Sequence, residues 1–210
     1  VTRRAICFDL DGTLVDSLGD IINAFRAAIA EQGFPPPAAH VVRPLVGLPL
    51  HDVFAALAPE GDADVMSEAY KRIHRQTFTE TSTPFPEVVE VLTVLRDKGF
   101  ALAVTTTKDT PMARELVTAL GLLPHLDLVQ GTDGFPAKPA PDVVDHALRA
   151  ISAEGTWMVG DTTHDIGAGQ AAGLRTYAVC RPEGTHDRLM IEAAGPDHLE
   201  ESLLPLLDLV

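Results

Sequence analysis

Arg4-Ala5-Ile6-Cys7-Phe8-Asp9-Leu10-Asp11-Gly12 decides how the rest of the chain is read. After its arginine the run is apolar without polar alternation, and it stops abruptly at Asp9. Such a run fits a strand covered on both faces. Four more short apolar runs follow, at residues 100–104, 126–129, 156–159 and 175–180. Between them lie stripes at helical spacing. Val88, Val91, Leu92 and Leu95 end at Gly99; Met112, Leu116, Val117 and Leu120 end at Gly121. Val143, Val144, Ala147, Leu148 and Ile151 form a third stripe, introduced by Pro141-Asp142. This alternation predicts an α/β fold with a doubly wound, mainly parallel sheet between helices.

Residues 15–84 break the alternation and contain no convincing strand. Leu18, Ile21, Ile22, Phe25, Ala28 and Ile29 make one helical face, Val53, Phe54 and Leu57 a second, and Val65, Met66, Ala69, Tyr70 and Ile73 a third. The expected organisation is an α/β core of residues 1–14 and 86–210, with a helical unit of residues 15–85 inserted into it. The hinges fall near residues 15–17 and 82–86.

Composition narrows the function. The 210 residues carry 30 acidic and 16 basic side chains, a net charge of −14. A non-specific nucleic-acid binder needs a basic face, so no nucleic-acid partner is expected. No stretch approaches 18 apolar residues, and the first apolar run is too short for a secretory signal, so no membrane partner and a cytoplasmic location are expected. Two cysteines, Cys7 and Cys180, make no disulfide framework and fit a reducing compartment. A monomer or homodimer is expected.

In open α/β sheets ligands bind beyond the carboxyl ends of the strands. The first strand delivers Asp9 and Asp11 there. The second delivers Thr105, Thr106, Thr107 and Lys108, and the third is followed by Lys138-Pro-Ala-Pro-Asp142. The fourth delivers Gly160-Asp161-Thr-Thr-His-Asp165. Asp9 and Asp11 share a face in an extended segment, and Asp161 and Asp165 share one on a helix. Two like charges about 4 Å apart repel by roughly 4 kcal/mol at an effective dielectric of 20. A divalent cation removes that cost, and all-oxygen ligands point to Mg²⁺ rather than zinc. Taken singly, the aspartates could be helix caps, Thr106 an ordinary strand residue and Lys138 a solvated charge; their convergence on one sheet edge is what points to a site.

Asp9-Leu-Asp-Gly-Thr-Leu-Val-Asp-Ser17 resembles the first motif of the haloacid dehalogenase-like phosphohydrolases. Ala-Val-Thr-Thr106 is similar to their second motif, Lys138-Pro-Ala-Pro-Asp142 to the third and Gly160-Asp161-Thr-Thr-His-Asp165 to the fourth. The order and spacing match over nearly the whole chain. The helical insertion resembles the cap of the phosphoglycolate phosphatase and β-phosphoglucomutase branch. The resemblance implies a Mg²⁺-dependent phosphatase acting on a small phosphorylated metabolite. Asp9 would be the nucleophile and Asp11 the general acid and base. Asp9, Asp161 and the Asp11 backbone carbonyl would bind the metal, with Asp165 behind them or linked through water. Thr106, Thr107 and Lys138 would bind the substrate's phosphoryl group. Two departures bear on substrate. Thr106-Thr107-Lys108 stands where Thr-Asn-Lys is usual, and Pro84-Phe-Pro-Glu87 stands for Pro-Tyr-Pro-Gly. A phosphosugar mutase with the same nucleophile is the alternative, and a phospho-accepting switch without turnover a more distant one. The loop Gly47-Leu-Pro-Leu-His51 is expected to face the site, with Arg43, His51, Lys71, Arg72, His74 and Arg75 as candidate contacts.

Overall fold

The computed structural model describes residues 2–210. Its strands are β1 (Arg4–Phe8), β2 (Val15–Asp16), β3 (Thr83–Pro84), β4 (Ala101–Thr105), β5 (Leu128–Gln130), β6 (Glu154–Gly160), β7 (Arg175–Val179) and β8 (His198–Glu200). The helices are α1 (Leu18–Glu31), α2 (Ala39–Val42), α3 (Leu50–Leu57), α4 (Ala63–Thr77), α5 (Val88–Asp97), α6 (Thr110–Ala119), α7 (Asp142–Ala150), α8 (Thr163–Ala171) and α9 (Arg188–Ala193). Six strands form one parallel sheet in the order β5-β4-β1-β6-β7-β8, with β1 near the middle.

The unalternating runs are explained by packing on both faces. Ile6, Phe8, Leu102, Val104, Trp157 and Val159 point into one apolar cluster, roofed by Val88, Val91, Leu92 and Leu95 of α5 and by Leu116 and Val117 of α6. Cys7, Ala103 and Met158, the residues between them, face the other way onto Val143, Val144 and Ala147 of α7 and Ala168 of α8. Opposite faces of each strand are thus buried, as period-two side chains require. The helices α1 to α4 gather around a separate cluster built on Phe25, Phe54, Met66 and Tyr70. Phe25 and Phe54 rings lie 5.2 Å apart and tilted, a favourable aromatic arrangement.

Two details depart from the sequence expectation. The 15–84 stretch does contain strand: β2 and β3 pair antiparallel, Val15 opposite Pro84 and Asp16 opposite Thr83. Two-residue strands carry no periodicity to read. The sixth sheet strand, β8, has three partly exposed residues at an edge and likewise left no apolar run.

Beside the β2–β3 ribbon, Asp20 of α1 is buried and gathers the chain as it returns from α4. Its carboxylate accepts from the Thr81 N–H (3.0 Å) and hydroxyl (2.7 Å) and from the Ser82 N–H (2.9 Å) and hydroxyl (2.7 Å). Burial opposes its charge, but these bonds hold its pKa below the ordinary carboxylate value. Asp20→Ala is expected to cost about 2–3 kcal/mol in urea unfolding at pH 7, since a charged acceptor is lost and its donors stay buried. A depressed pKa gives stability that is present above the unfolded value, about 4, and lost as pH falls through the folded one. The gap between wild type and variant should therefore close in acid.

Candidate active site

The site sits where β1, β4 and β6 end. The Asp9 N–H donates to the Val159 carbonyl (2.8 Å), carrying the parallel ladder one residue past β1 and fixing Asp9 at the sheet edge. The chain then turns at Gly12, whose φ is +88°. A Cβ there would lie 2.3 Å from Asp161 Oδ2, so only glycine lets the Asp161 carboxylate come this close. Gly160 does the same for the neighbouring acid: its Cβ would stand 2.2 Å from Asp165 Cβ. Thr162 caps α8 in a capping box with Asp165, whose Oδ2 accepts from the Thr162 N–H (3.0 Å) and hydroxyl (2.6 Å).

Lys138 joins the two halves. Its ammonium donates to Asp9 Oδ1 (2.5 Å), Asp165 Oδ1 (2.5 Å) and the Thr105 carbonyl (3.0 Å). Burial works against this cation, but Asp165 and Asp9 outweigh it and raise its pKa above the ordinary lysine value. Asp9 is pushed well above the carboxylate range by burial and by the Asp165 and Asp161 charges, against the pull of Lys138. Asp161 is pushed up to about 7, first by burial and then by Asp165.

Asp9, Asp161 and Asp165 each offer a carboxylate oxygen, and these atoms all lie within 4.8 Å of one another. Three buried carboxylates around one ammonium leave the pocket short of positive charge. Asp161 Oδ2 is also buried without a hydrogen-bond partner among the described residues. An orphaned oxygen in an all-oxygen, electron-rich cluster fits a hard divalent cation. Asp165 differs from the other two, because both its oxygens are already engaged by Lys138 and Thr162. The Asp11 carboxylate is turned out of this cluster: Ser17 donates to its Oδ1 (2.7 Å), and Lys108 Nζ lies 3.3 Å from its Oδ2. Thr13 donates to Asp161 Oδ1 (3.1 Å).

A small cavity of about 30 Å³ lies against Asp9, Thr106, Lys138, Thr162, His164 and Thr185. Next to it is a larger one of about 230 Å³, with Lys108 and Thr107 on the sheet side and Phe25, Leu48, Tyr70 and Lys71 on the helical side. Asp11, Thr107 and Gly47 border both. The Thr106 hydroxyl accepts the Lys108 N–H (3.2 Å). Of the candidate contacts in the insertion, Lys71 lines the larger cavity and His74 is buried against Lys108. Arg72 pairs with Glu31, Arg75 with Glu115 and Arg43 with the Glu183 carbonyl; His51 is exposed. Sequence reasoning gave no site role to Lys108, His164 or Thr185. Lys108 had a visible signal, its place at the end of β4. Thr185 had none, since it arrives from a loop distant in sequence.

An α/β sheet with four acidic residues and a buried lysine at one strand edge defines the class, and the chain belongs to the haloacid dehalogenase-like hydrolase family, whose model matches residues 6–179. The chain is 36% identical over 203 residues to a Dickeya dadantii protein called "Probable phosphatase IndB", covering 92% of this chain and 87% of that one. It is 34% identical to the phosphoglycolate phosphatase of Neisseria meningitidis, covering 95% and 90% of the two chains. A haloacid dehalogenase-like hydrolase of known structure from Streptococcus pneumoniae superposes with a TM-score of 0.81 at 30% identity, over 100% of this chain and 98% of that one. Among the described residues no helix is long and apolar enough to cross a membrane.

Proposed function

We propose that this hydrolase is a Mg²⁺-dependent phosphatase that removes phosphate from a small phosphorylated metabolite through an aspartyl-phosphate on Asp9. The observation that carries the reading is the bridge of Lys138 between Asp9 and Asp165, with an Asp161 carboxylate oxygen within 4.8 Å of theirs and its Oδ2 unpartnered among the described residues. The names of the relatives, a phosphatase and a phosphoglycolate phosphatase, support the reaction class.

An Asp9 oxygen attacks phosphorus, and the bond from phosphorus to the substrate's ester oxygen breaks. Asp11 gives its proton to the departing alkoxide, which leaves as an alcohol. Water then attacks the phosphorus of the aspartyl-phosphate, Asp11 takes its proton, and phosphate leaves with Asp9 restored. Lys138 and the Thr106 and Thr107 groups hold the phosphoryl oxygens, so positioning and fixed charge carry much of the rate. Asp9, Asp161 and the Asp11 backbone carbonyl would hold Mg²⁺, with Asp165 orienting Lys138 behind them. Bound there, the ion supplies positive charge against the carboxylates and the phosphoryl group. The helical unit of residues 15–85 acts as a cap, with Gly47 and Leu48 closing the site to water and the larger cavity receiving the alcohol portion.

Hydrolysis of p-nitrophenyl phosphate and of a panel of phosphate monoesters, including phosphoglycolate and sugar phosphates, tests this reading. Turnover should require Mg²⁺, vanish in excess EDTA and return on adding Mg²⁺ back. Full activity in EDTA would remove the metal from the proposal. A strict requirement for a sugar bisphosphate activator would replace the phosphatase by a mutase.

A further inference from the structure

Tyr70, His74 and Phe78 follow one another at four-residue intervals along and just past α4, so they stack on one face. The Tyr70 and His74 rings are 5.2 Å apart and nearly parallel, and Phe78 meets His74 edge-on at 6.2 Å. An imidazole in such a stripe is most simply core packing. Two facts go further. His74 is only 1% exposed, yet its Nδ1 has no partner among the described residues. Its Nε2 lies 3.1 Å from Lys108 Nζ, across the boundary between the helical unit and the sheet layer. An ammonium has only donors, so the imidazole accepts here and carries its proton on Nδ1. Burial first and Lys108 second lower the His74 pKa to about 3, against the opposing charges of Asp11 and Asp20, which keeps the ring a neutral acceptor.

The same Lys108 ammonium stands 3.3 Å from Asp11 Oδ2, while Ser17 holds Asp11 Oδ1. Lys108 has four carbons of freedom, and two contacts pin its end: one to Asp11, one to His74. We propose that His74 is a positioning residue for proton transfer, fixing the Lys108 ammonium that in turn fixes the Asp11 carboxyl group. The inference rests on the reading of Asp11 as acid and base. His74 lines neither cavity, so it acts through Lys108 and not on substrate. The link also makes seating of α4 on the sheet layer a condition for a correctly aimed Asp11.

Leaving-group dependence tests it. An alkyl phosphate needs a proton on its departing oxygen, whereas p-nitrophenolate leaves without one, and kcat/KM reports the steps up to that departure. His74→Leu should lower kcat/KM for an alkyl phosphate by about 30-fold, the scale expected for a misplaced general acid. For p-nitrophenyl phosphate the loss should stay below about threefold. His74→Gln, whose amide oxygen can accept from Lys108, should recover most of the alkyl-phosphate activity. In a Lys108→Met background His74→Leu should add almost nothing, because the two act as one unit. Equal losses on both esters, no loss on either, or an undiminished His74→Leu effect in the Lys108→Met background overturns the proposal. Should His74→Leu fail to show a folded melting transition, His74→Phe, which keeps the ring stack and removes the acceptor, must show the same leaving-group split, and its absence overturns the proposal. Asp11→Asn separates the two levels. An active Asp11→Asn enzyme sinks the acid–base reading and this inference with it. An inactive one, with no split at His74, sinks the inference alone.

Discussion

Asp9→Asn is expected to lower kcat on the order of 10⁴-fold or more while the protein stays folded. The amide keeps the size of the carboxylate but loses the negative oxygen that the proposed mechanism sends against phosphorus. Stability should move little or upward, because Asp9 is one of three buried carboxylates crowded within 4.8 Å. Its pKa is already driven up by burial and by Asp165 and Asp161, so its charge is costly in the metal-free fold. Turnover of p-nitrophenyl phosphate and the thermal midpoint in EDTA, measured on the same preparation, check both halves. Undiminished turnover would remove Asp9 as nucleophile.

Lys138→Met should damage both properties. The Lys138 side chain is almost fully buried and donates to Asp9, Asp165 and the Thr105 carbonyl. Methionine fills a similar volume but leaves two buried carboxylates without their cation. Removing one partner of a buried ion pair costs about 3–5 kcal/mol, a large share of the roughly 5–15 kcal/mol that holds a domain folded. The urea midpoint at pH 7 should fall accordingly, and turnover should be lost with the phosphoryl contact. The pH dependence has a definite sign. Without Lys138 the carboxylates bind protons more tightly folded than unfolded, so the variant should regain stability on mild acidification. A variant as stable as wild type at pH 7 would mean that the bridge contributes little to the fold.

Much of this arrangement is legible in the residues, and the reason is geometric. Strands buried on both faces leave unbroken apolar runs, so their ends are marked, and Asp9, Asp161 and Thr106 fall at those ends. What is illegible depends on where side chains turn after the strand stops. Asp11 lies two residues from Asp9, yet its carboxylate turns toward Ser17 and Lys108 and away from the acidic cluster. Asp165 shares a helix face with Asp161 by its spacing, but that its oxygens turn to Lys138 and into a capping box with Thr162 is not written in the spacing. His74 reads as one polar group on a charged helical stretch, because only the docked helix reveals that Lys108 lies opposite. The β2–β3 ribbon and β8 are too short to carry a pattern at all.

That ribbon has a consequence for how such molecules can be rebuilt. The four-helix layer leaves the sheet layer after Asp16 and rejoins it at Thr83, and these two residues stand opposite each other on one rung. Exit and entry therefore lie side by side, one ladder spacing apart. The helices can therefore be exchanged as one segment without stretching the scaffold, and a replacement that keeps an acceptor for Lys108 where His74 stands is expected to leave the Asp11 carboxylate in place.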